Sequence, residues 1–587
     1  MTSGDTLSRI LYIDLSKRRF WVEDRPELFD EWLGGTGAGI KLLEEECPQG
    51  TDPLGPENPI ILTVGPITAL FPMGSKTVAT FKSPHTGNLG ESHSGGRSAV
   101  SIRLAGYGGI VIRGRSETPV YVAIHEDDVH FRDASALWGM RSCFTVGRII
   151  REREPGAGTR SIMRIGRAGE RMVSYACVTM ETYRYFGRLG MGAVFGSKRL
   201  KALVISGRHS IPVADRKGYR RVYEEIFKTT MESEAMKKYH ELGTSENVLP
   251  LNALGALPTM NLQHTRFEGS ENISGENLAR NFLGRRVACS HCPIGCIHLA
   301  ALRQPYEDEP YFYKTSMISY DYEPIYSLGS MLGISDVTGL LNLMDTVEAY
   351  ALDAMSTGVV LAWATEAMSN GIIPESETKG VRLKWGDWRS YIQAVTNIIE
   401  GSTDFYKALA GGVERAIEVY GGEEYALSWG GNEMPGYHTG PAAHIGFLTG
   451  ARHSHLDSAG YSLDQKVLPG RKEISPEEVA EMLLREERWR QILSSLVVCF
   501  FARGIYTPET VLKALEITGM PFGSEEELRE LGARILSEKY RFKLREGFDI
   551  TKARVPRRIT QIPTPLGQVS EEFVRRAAEH YVKLVTG

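Results

Sequence analysis

Three of the chain's seven cysteines fall in Cys289-Ser290-His291-Cys292-Pro293-Ile294-Gly295-Cys296, at C-x2-C-x3-C spacing, while the other four are scattered. Thiolates this close along a chain can curl round one metal centre, with Pro293 and Gly295 supplying the fixed and the free dihedrals of a tight loop. A [4Fe-4S] cluster, each thiolate bonding a different iron, is the first chemistry the spacing predicts. Zinc is the rival. Its motifs usually bring a second C-x2-C or H-x3-H pair about 12 to 20 residues on, and none follows; His291 and His298 sit at the wrong offsets. Few cysteines, odd in number, in a large chain speak for a reducing compartment and against disulfides. A cubane then needs a fourth thiolate, from Cys47, Cys143, Cys177 or Cys499.

The scaffold for such a loop is large. At 587 residues the chain exceeds what one core supports, so two to four domains are expected. With 68 Lys+Arg against 72 Asp+Glu the net charge is -4, which argues against nucleic acid or an anionic membrane surface as the main partner. Met1 to Asp14 has no basic and apolar leader, and no stretch approaches a membrane span, so the cytoplasm is the expected location.

The predicted fold class is α+β. From residue 1 to 208, short β-branched runs such as Ile10-Leu11-Tyr12-Ile13, Ile60 to Val64, Val78 to Phe81, Gly109 to Ile112, Val120 to Ala123 and Ala202 to Ile205 predict a β-rich domain. Gly34-Gly35-Thr36-Gly37-Ala38-Gly39 misses the spacing of a dinucleotide loop and follows no buried strand. After Pro212 the apolar period becomes helical, predicting one helical domain over 209–421 that carries the cysteine loop and another over 422–587, divided at Gly421-Gly422. Helices are expected at Tyr219 to Tyr239, Val359 to Met368, Trp388 to Ile399, Phe405 to Tyr420, Pro476 to Cys499, Pro508 to Ile517 and Glu525 to Tyr540. Neither Gly547 to Pro565 nor the tail reads as strongly structured.

Two stretches combine clustered glycines with a few cations: Lys82 to Gly87 with Ser92-His93-Ser94-Gly95-Gly96, and Arg184 to Lys198. Together with the cysteine loop, with Asp52-Pro53-Leu54 and with Arg545-Glu546-Gly547-Phe548, they resemble the tungsten-containing aldehyde:ferredoxin oxidoreductase family along the whole chain. The resemblance implies tungsten, with molybdenum as the alternative metal, held by two pterins whose phosphates are bridged by Mg2+. It implies a β-rich base for the pterins capped by helical domains, and contacts from Lys76, His93, Ser94, Gly95, Arg184, Gly187, Arg188, Glu348, Asp353 and Ser494. It also implies Cys499 as fourth ligand beside Cys289, Cys292 and Cys296, because Ser494 to Cys499 resembles the family's Asp-x-x-Gly-Leu-Cys segment. Lys76 stands for a common Arg, His93 for Asn, Glu348 and Ser494 for Asp, and Ala351 and Val497 for Gly.

Glu323 and His455 resemble the family's active-site pair, Glu323 as proton acceptor and His455 as donor to a carbonyl oxygen, with His453 the competing histidine. The function so implied is oxidation of a small aldehyde to a carboxylic acid, electrons leaving through the cluster to ferredoxin or an iron-sulfur electron-transfer subunit; a homodimer is among the assemblies it allows. The alternatives are a reductase of an aromatic acyl-coenzyme A or other carbonyl compound within a larger complex, and an iron-sulfur electron-transfer subunit without catalysis. A bulky residue at Gly95 is expected to cost pterin and tungsten while sparing iron.

Overall fold

The computed structural model describes residues 4–587 apart from 157, 182, 307, 308, 310 and 472. The first third folds as two six-stranded sheets. In the first, the strands run in the order Arg19–Asp24, Arg9–Asp14, Gly109–Arg113, Ile60–Thr63, Thr77–Lys82 and Leu89–Ser94, all antiparallel except the parallel pair that sets Ile10 opposite Gly109. In the second the order is Tyr185–Phe186, Val178–Thr179, Thr159–Ile165, Leu200–Gly207, Val120–His125 and Asp128–Asp133. The β-branched runs legible in the sequence are the central strands of these sheets. Ile60–Thr63, Thr77–Lys82 and Leu200–Gly207 are buried at every position, as strands covered on both faces must be. The Gly34 to Gly39 stretch begins the helix Gly35–Glu46, which packs on the first sheet and against the late helices Pro476–Ser495 and Glu525–Arg545. Its glycines permit that contact: a Cβ on Gly35 would run into the Ser494 and Ser495 carbonyls, and one on Gly39 into Thr80 Oγ1.

Helices follow from Arg216 onward. Phe405 to Tyr420 breaks into Asp404–Ala410 and Val413–Tyr420 at Gly412, whose φ of 92° no helix accommodates. Pro476–Ser495 starts where a capping box and a first-turn proline predict, with Ser475 and Glu478 exchanging side chain–backbone hydrogen bonds. Two regions depart from expectation. The stretch after Gly547 holds the helix Arg557–Gln561, and the tail is the helix Glu571–Thr586, capped by Ser570, with Val574, Ala577, Ala578, Tyr581 and Val585 buried along one face. The helical portion also contains an antiparallel three-stranded sheet, Leu283–Val287, Ile297–Pro305 and Tyr313–Tyr320, that periodicity did not single out.

That small sheet positions the chemistry. The cysteine loop joins its first two strands, and Glu323 opens the helix Tyr322–Leu328 directly after its third. A continuous apolar core runs from Leu7 to Val585, so sheets and helices share one interior.

Candidate active site and cluster loop

The cysteine loop is hung from two neighbours by backbone, and one of these, Met73, also holds Cys499. Ser290 N–H donates to Gly96 O at 2.8 Å, Met73 N–H to His291 O at 2.9 Å, and Cys499 N–H to Met73 O at 3.0 Å. Lys76 N–H reaches Val497 O at 3.1 Å, so the loop carrying Lys76, the loop carrying Gly95 and the end of the helix Pro476–Ser495 converge on one place. Cys289, Cys292, Cys296 and Cys499 gather there. Burial and then Cys289 push Cys292 up to about 12, and burial pushes Cys296 up to about 11 against the pull of Arg184. These four are half-buried, whereas Cys47, Cys143 and Cys177 are fully buried at other places in the fold. No three His, Cys, Asp or Glu side chains among the described residues close on a single ion. His298 is no ligand: its ring is held by Cys296 O at 3.1 Å and His240 O at 3.0 Å, which fixes the exit of the loop.

Beside the cysteines lies a cavity of about 160 Å³ lined by Arg184, Arg188, Cys296, Glu323, Glu348 and Asp353, among others. Gly187 lines it as well, and a Cβ there would meet only the Tyr185 Cβ at 3.8 Å. Arg184 Nη2 approaches Cys296 Sγ at 3.6 Å. Arg188 is aimed by protein partners: its Nε donates to Asp353 Oδ2 at 3.0 Å and its Nη2 to Glu433 O at 2.8 Å. Asp353 in turn caps the helix Ala354–Ser369 at Met355 N–H and accepts from Ser356 Oγ, so both its oxygens are engaged and it reaches a ligand through Arg188. Glu348 accepts from Ser319 Oγ at 2.5 Å, yet burial pushes it up to about 8, leaving it protonated near neutral pH.

Several polar atoms of this wall have no protein partner: Arg184 Nε, Arg188 Nη1, Tyr320 Oη and Asp321 Oδ1 are buried and unbonded among the described residues. Buried donors and acceptors left so are costly, and a phosphorylated, hydrogen-bonding ligand would satisfy them. The residues present therefore fit a pterin.

Glu323 and His455, 132 positions apart, meet in an ion pair of 3.1 Å between Oε1 and Nε2. Tyr437 Oη donates to the same Glu323 oxygen at 2.9 Å. Burial pushes the Glu323 carboxyl up, but His455 and then Tyr437 more than offset it and hold the group below the usual carboxylate range. Two residues earlier, burial and then Glu323 push Asp321 up to about 7. His455 opens the helix His455–Ser458 behind a Ser454–Asp457 capping box, and its Nδ1 is buried without a partner. His453 is satisfied on both sides, Nδ1 at 3.2 Å from Phe447 O and Nε2 at 2.9 Å from Lys543 Nζ. Tyr437 and Glu433 are the site residues that sequence reasoning missed, each a single polar residue with no motif around it, while Asp321 stands two residues before Glu323 in the segment that carries the resemblance and was given no role.

Other expected contacts sit outside this cavity. Lys76 and Gly95 lie across the cysteine loop, where a Cβ on Gly95 would stand 2.7 Å from Cys289 Sγ and 3.4 Å from Lys76 Nζ. A bulky residue at Gly95 thus strikes Cys289 first, so the expectation that iron would be spared does not follow from this geometry. His93 is turned by Glu91, with 2.7 Å from Nε2 to Oε1, leaving only Nδ1 for a ligand. Ser94 and Ser494 are buried. Within Lys82 to Gly87, His85 bridges Ser174 Oγ and Glu433 Oε2, and Lys82 pairs with Glu546, so those two side chains tie the base to the helical cap. Ala351 and Val497, which replace the family's usual glycines, both sit at positive φ, 59° and 57°. Glycine adopts that conformation freely and a β-branched valine at a cost.

The family model for the aldehyde ferredoxin oxidoreductase N-terminal domain matches residues 10–207, and that for domains 2 and 3 matches 221–585. The tungsten-containing aldehyde ferredoxin oxidoreductase of Thermococcus kodakarensis is 33% identical over 582 residues, spanning 97% of this chain and 93% of the relative. The enzyme of the same name from Pyrococcus furiosus is 31% identical over the same shares. An aliphatic sulfonate oxidoreductase WOR-like subunit of Pyrococcus furiosus is 30% identical over 430 residues, 70% of this chain and 66% of its own length. Among solved structures, the active-site complex BamBC of benzoyl coenzyme A reductase, in complex with 1,5-dienoyl-CoA, superposes with a TM-score of 0.82 at 21% identity, over 100% of this chain and 95% of that one, and shares the fold. With both family models together spanning nearly the whole chain, and relatives above 30% identity along 97% of it, this chain belongs to the aldehyde ferredoxin oxidoreductase family and is an oxidoreductase of that type.

Proposed function

We propose that the chain oxidises an aldehyde to a carboxylic acid at a tungsten bis-pterin and passes the electrons through a [4Fe-4S] cluster held by Cys289, Cys292, Cys296 and Cys499. The observation that carries this reading is the Glu323–His455 pair, near whose carboxylate one cavity also reaches Cys296. Acid-base groups and an electron exit then serve the same small space. When bound, the metal-pterin supplies two-electron chemistry at the carbonyl carbon: RCHO + H2O gives RCOOH, two electrons and two protons.

The chain's own residues do the rest. Arg184 and Arg188 would offer Nε and Nη1, their unbonded atoms, to pterin phosphate or ring acceptors, and Lys76 and Gly95, which lie by Cys289, would meet the second pterin. Glu323, held ionised by His455 and Tyr437, takes a proton as water adds. His455 presents its free Nδ1 edge to the carbonyl oxygen, as donor when that nitrogen carries the proton. The four half-buried thiolates suit a cubane better than zinc, which needs its ligands about 2.3 Å from one ion.

The test is metal analysis joined to a panel of aldehydes assayed with a viologen dye. Iron together with tungsten, and dye reduction by at least one aldehyde, are expected; iron without tungsten or molybdenum would leave an electron-transfer subunit, and turnover only with an acyl-coenzyme A would leave the reductase alternative. Cys499→Ser is expected to lose iron and Cys47→Ser to keep it.

A further inference from the structure

On the second sheet's side of the cysteine loop lies a recess of about 600 Å³, lined by Arg97, Arg151, Arg160 and Arg285 and by Ser290 of the loop itself. Arg97, Arg151 and Arg285 are exposed, and none of the four guanidinium groups is paired with a described carboxylate; Arg160 Nη1 donates to the Glu154 carbonyl. Among the described residues the lining carries one acid, Glu181, which is engaged by Ser161 Oγ at 3.2 Å and Ile162 N–H at 2.8 Å. In a chain of net charge -4, four unpaired arginines round one recess are a local excess of positive charge. Like charges held together repel one another, and an anionic partner would relieve that repulsion. Its position is as telling as its sign. Ser290 adjoins Cys289, and Gly96, whose carbonyl accepts from Ser290 N–H, adjoins Arg97, so the recess opens within a residue or two of a cluster thiol. Tyr183 lines both this recess and the cavity of the candidate site.

We propose that this recess is the docking surface for a small acidic one-electron carrier protein, seated so that its redox centre faces the Cys289 edge of the cluster. The inference rests on the proposed function for its cluster and goes beyond it in naming where the partner binds. Arginine suits the role because its planar fork pairs carboxylates bidentately and is weakly hydrated, giving a contact that forms fast and releases after each electron. Aldehyde oxidation yields two electrons, so two carriers must visit in turn, and a charge-steered, salt-sensitive surface serves that exchange better than a tight apolar one.

The test uses the full, metal-loaded protein, a low-potential acidic [4Fe-4S] ferredoxin as probe, and the double variant Arg97→Glu/Arg285→Glu, whose exposed side chains have no described ion-pair partner. Ferredoxin-linked kcat/KM is expected to fall at least about tenfold and to lose its dependence on ionic strength, while viologen-linked turnover stays unchanged. Unchanged ferredoxin kinetics would overturn the docking surface. Loss of viologen turnover in the wild type would instead sink the proposed function, and for that case binding is read by titration calorimetry at low salt. Wild-type binding weakened at least about tenfold by the double variant supports the proposal. A wild type that binds inorganic phosphate there, but no ferredoxin, overturns it in favour of a small-anion site.

Discussion

Two polar regions of the interior are built on opposite terms. Round the candidate site, Arg184, Arg188, Asp321 and His455 each keep a buried polar atom unbonded. Behind it, where the first sheet meets the late helices, Glu91, Arg452, His453, Asp457, Glu487, Lys539 and Lys543 form a buried charged cluster in which none does. Glu91 accepts from Lys539 at 2.6 Å, Arg452 pairs with Asp457 at 2.6 Å, Glu487 accepts from Ala451 N–H at 2.9 Å and from Tyr581, and Lys543 is shared between His453 and the Ala451 carbonyl. A cluster closed on itself holds a structure together; a wall with free donors and acceptors has a ligand still to meet. His453 and His455, two residues apart, fall on opposite sides of that divide.

The comparison breaks most visibly if a member of the closed cluster is removed without effect. Lys539→Met leaves Glu91 as a buried carboxylate whose chief counter-charge is gone, and burial then dominates the site. A loss of about 3–5 kcal/mol in denaturant unfolding is expected, with turnover per folded molecule near normal. The open wall predicts the reverse. Glu323→Gln and His455→Ala are each expected to lower turnover about a hundredfold or more while iron and tungsten are retained. Near-normal turnover in either variant would remove that residue from the chemistry.

How far these regions were legible in the sequence follows from what each depends on. The cysteine loop and the central strands of both sheets are local patterns, spacing in one and β-branched runs in the others, and the structure has them where they were read. The sheet formed by Leu283–Val287, Ile297–Pro305 and Tyr313–Tyr320 was missed because Gly284-Arg285-Arg286 and Tyr313-Lys314-Thr315 are exposed and show no apolar alternation. Its pairing is set by the partner strand and not by its own residues. The helix Glu571–Thr586 was missed despite its apolar face and Ser570 cap. Glu323 and His455 were found by resemblance, whereas Tyr437 and Glu433 act through distant partners that no window of sequence contains. Sequence preferred His455 but kept His453 as its competitor; the geometry sets them apart, one fully bonded and one with a free nitrogen.

That separation predicts a smaller effect. Lys543 donates to Nε2 of His453 and Phe447 O takes Nδ1–H, so the ring is a neutral brace, pushed down to about 3 by burial and by Lys543. His453→Gln keeps a polar side chain but cannot reproduce both contacts, and a loss of about 1–3 kcal/mol is expected with turnover unchanged. A large fall in turnover with unaltered stability would exchange the roles of the two histidines.

The smallest effect belongs to Glu433, a fully paired group that braces the open wall. Its backbone carbonyl holds Arg188, while its carboxylate accepts from Ser356 Oγ at 2.6 Å, Val413 N–H at 3.0 Å and His85 Nε2 at 2.7 Å. Burial pushes the carboxyl up, but His85 and then Ser356 more than offset it and hold it at about 2. The folded value lies below an unfolded value of about 4.3, so the group's contribution is whole above about pH 5 and drains away as pH falls toward 2. Unfolding followed at pH 6 and pH 3.5 in wild type and in Glu433→Gln isolates it, since every other acid titrates alike in both. Wild type is expected to lose about 1 kcal/mol more than the variant over that interval. Equal losses would mean that Glu433 is not held as an ionised partner of His85.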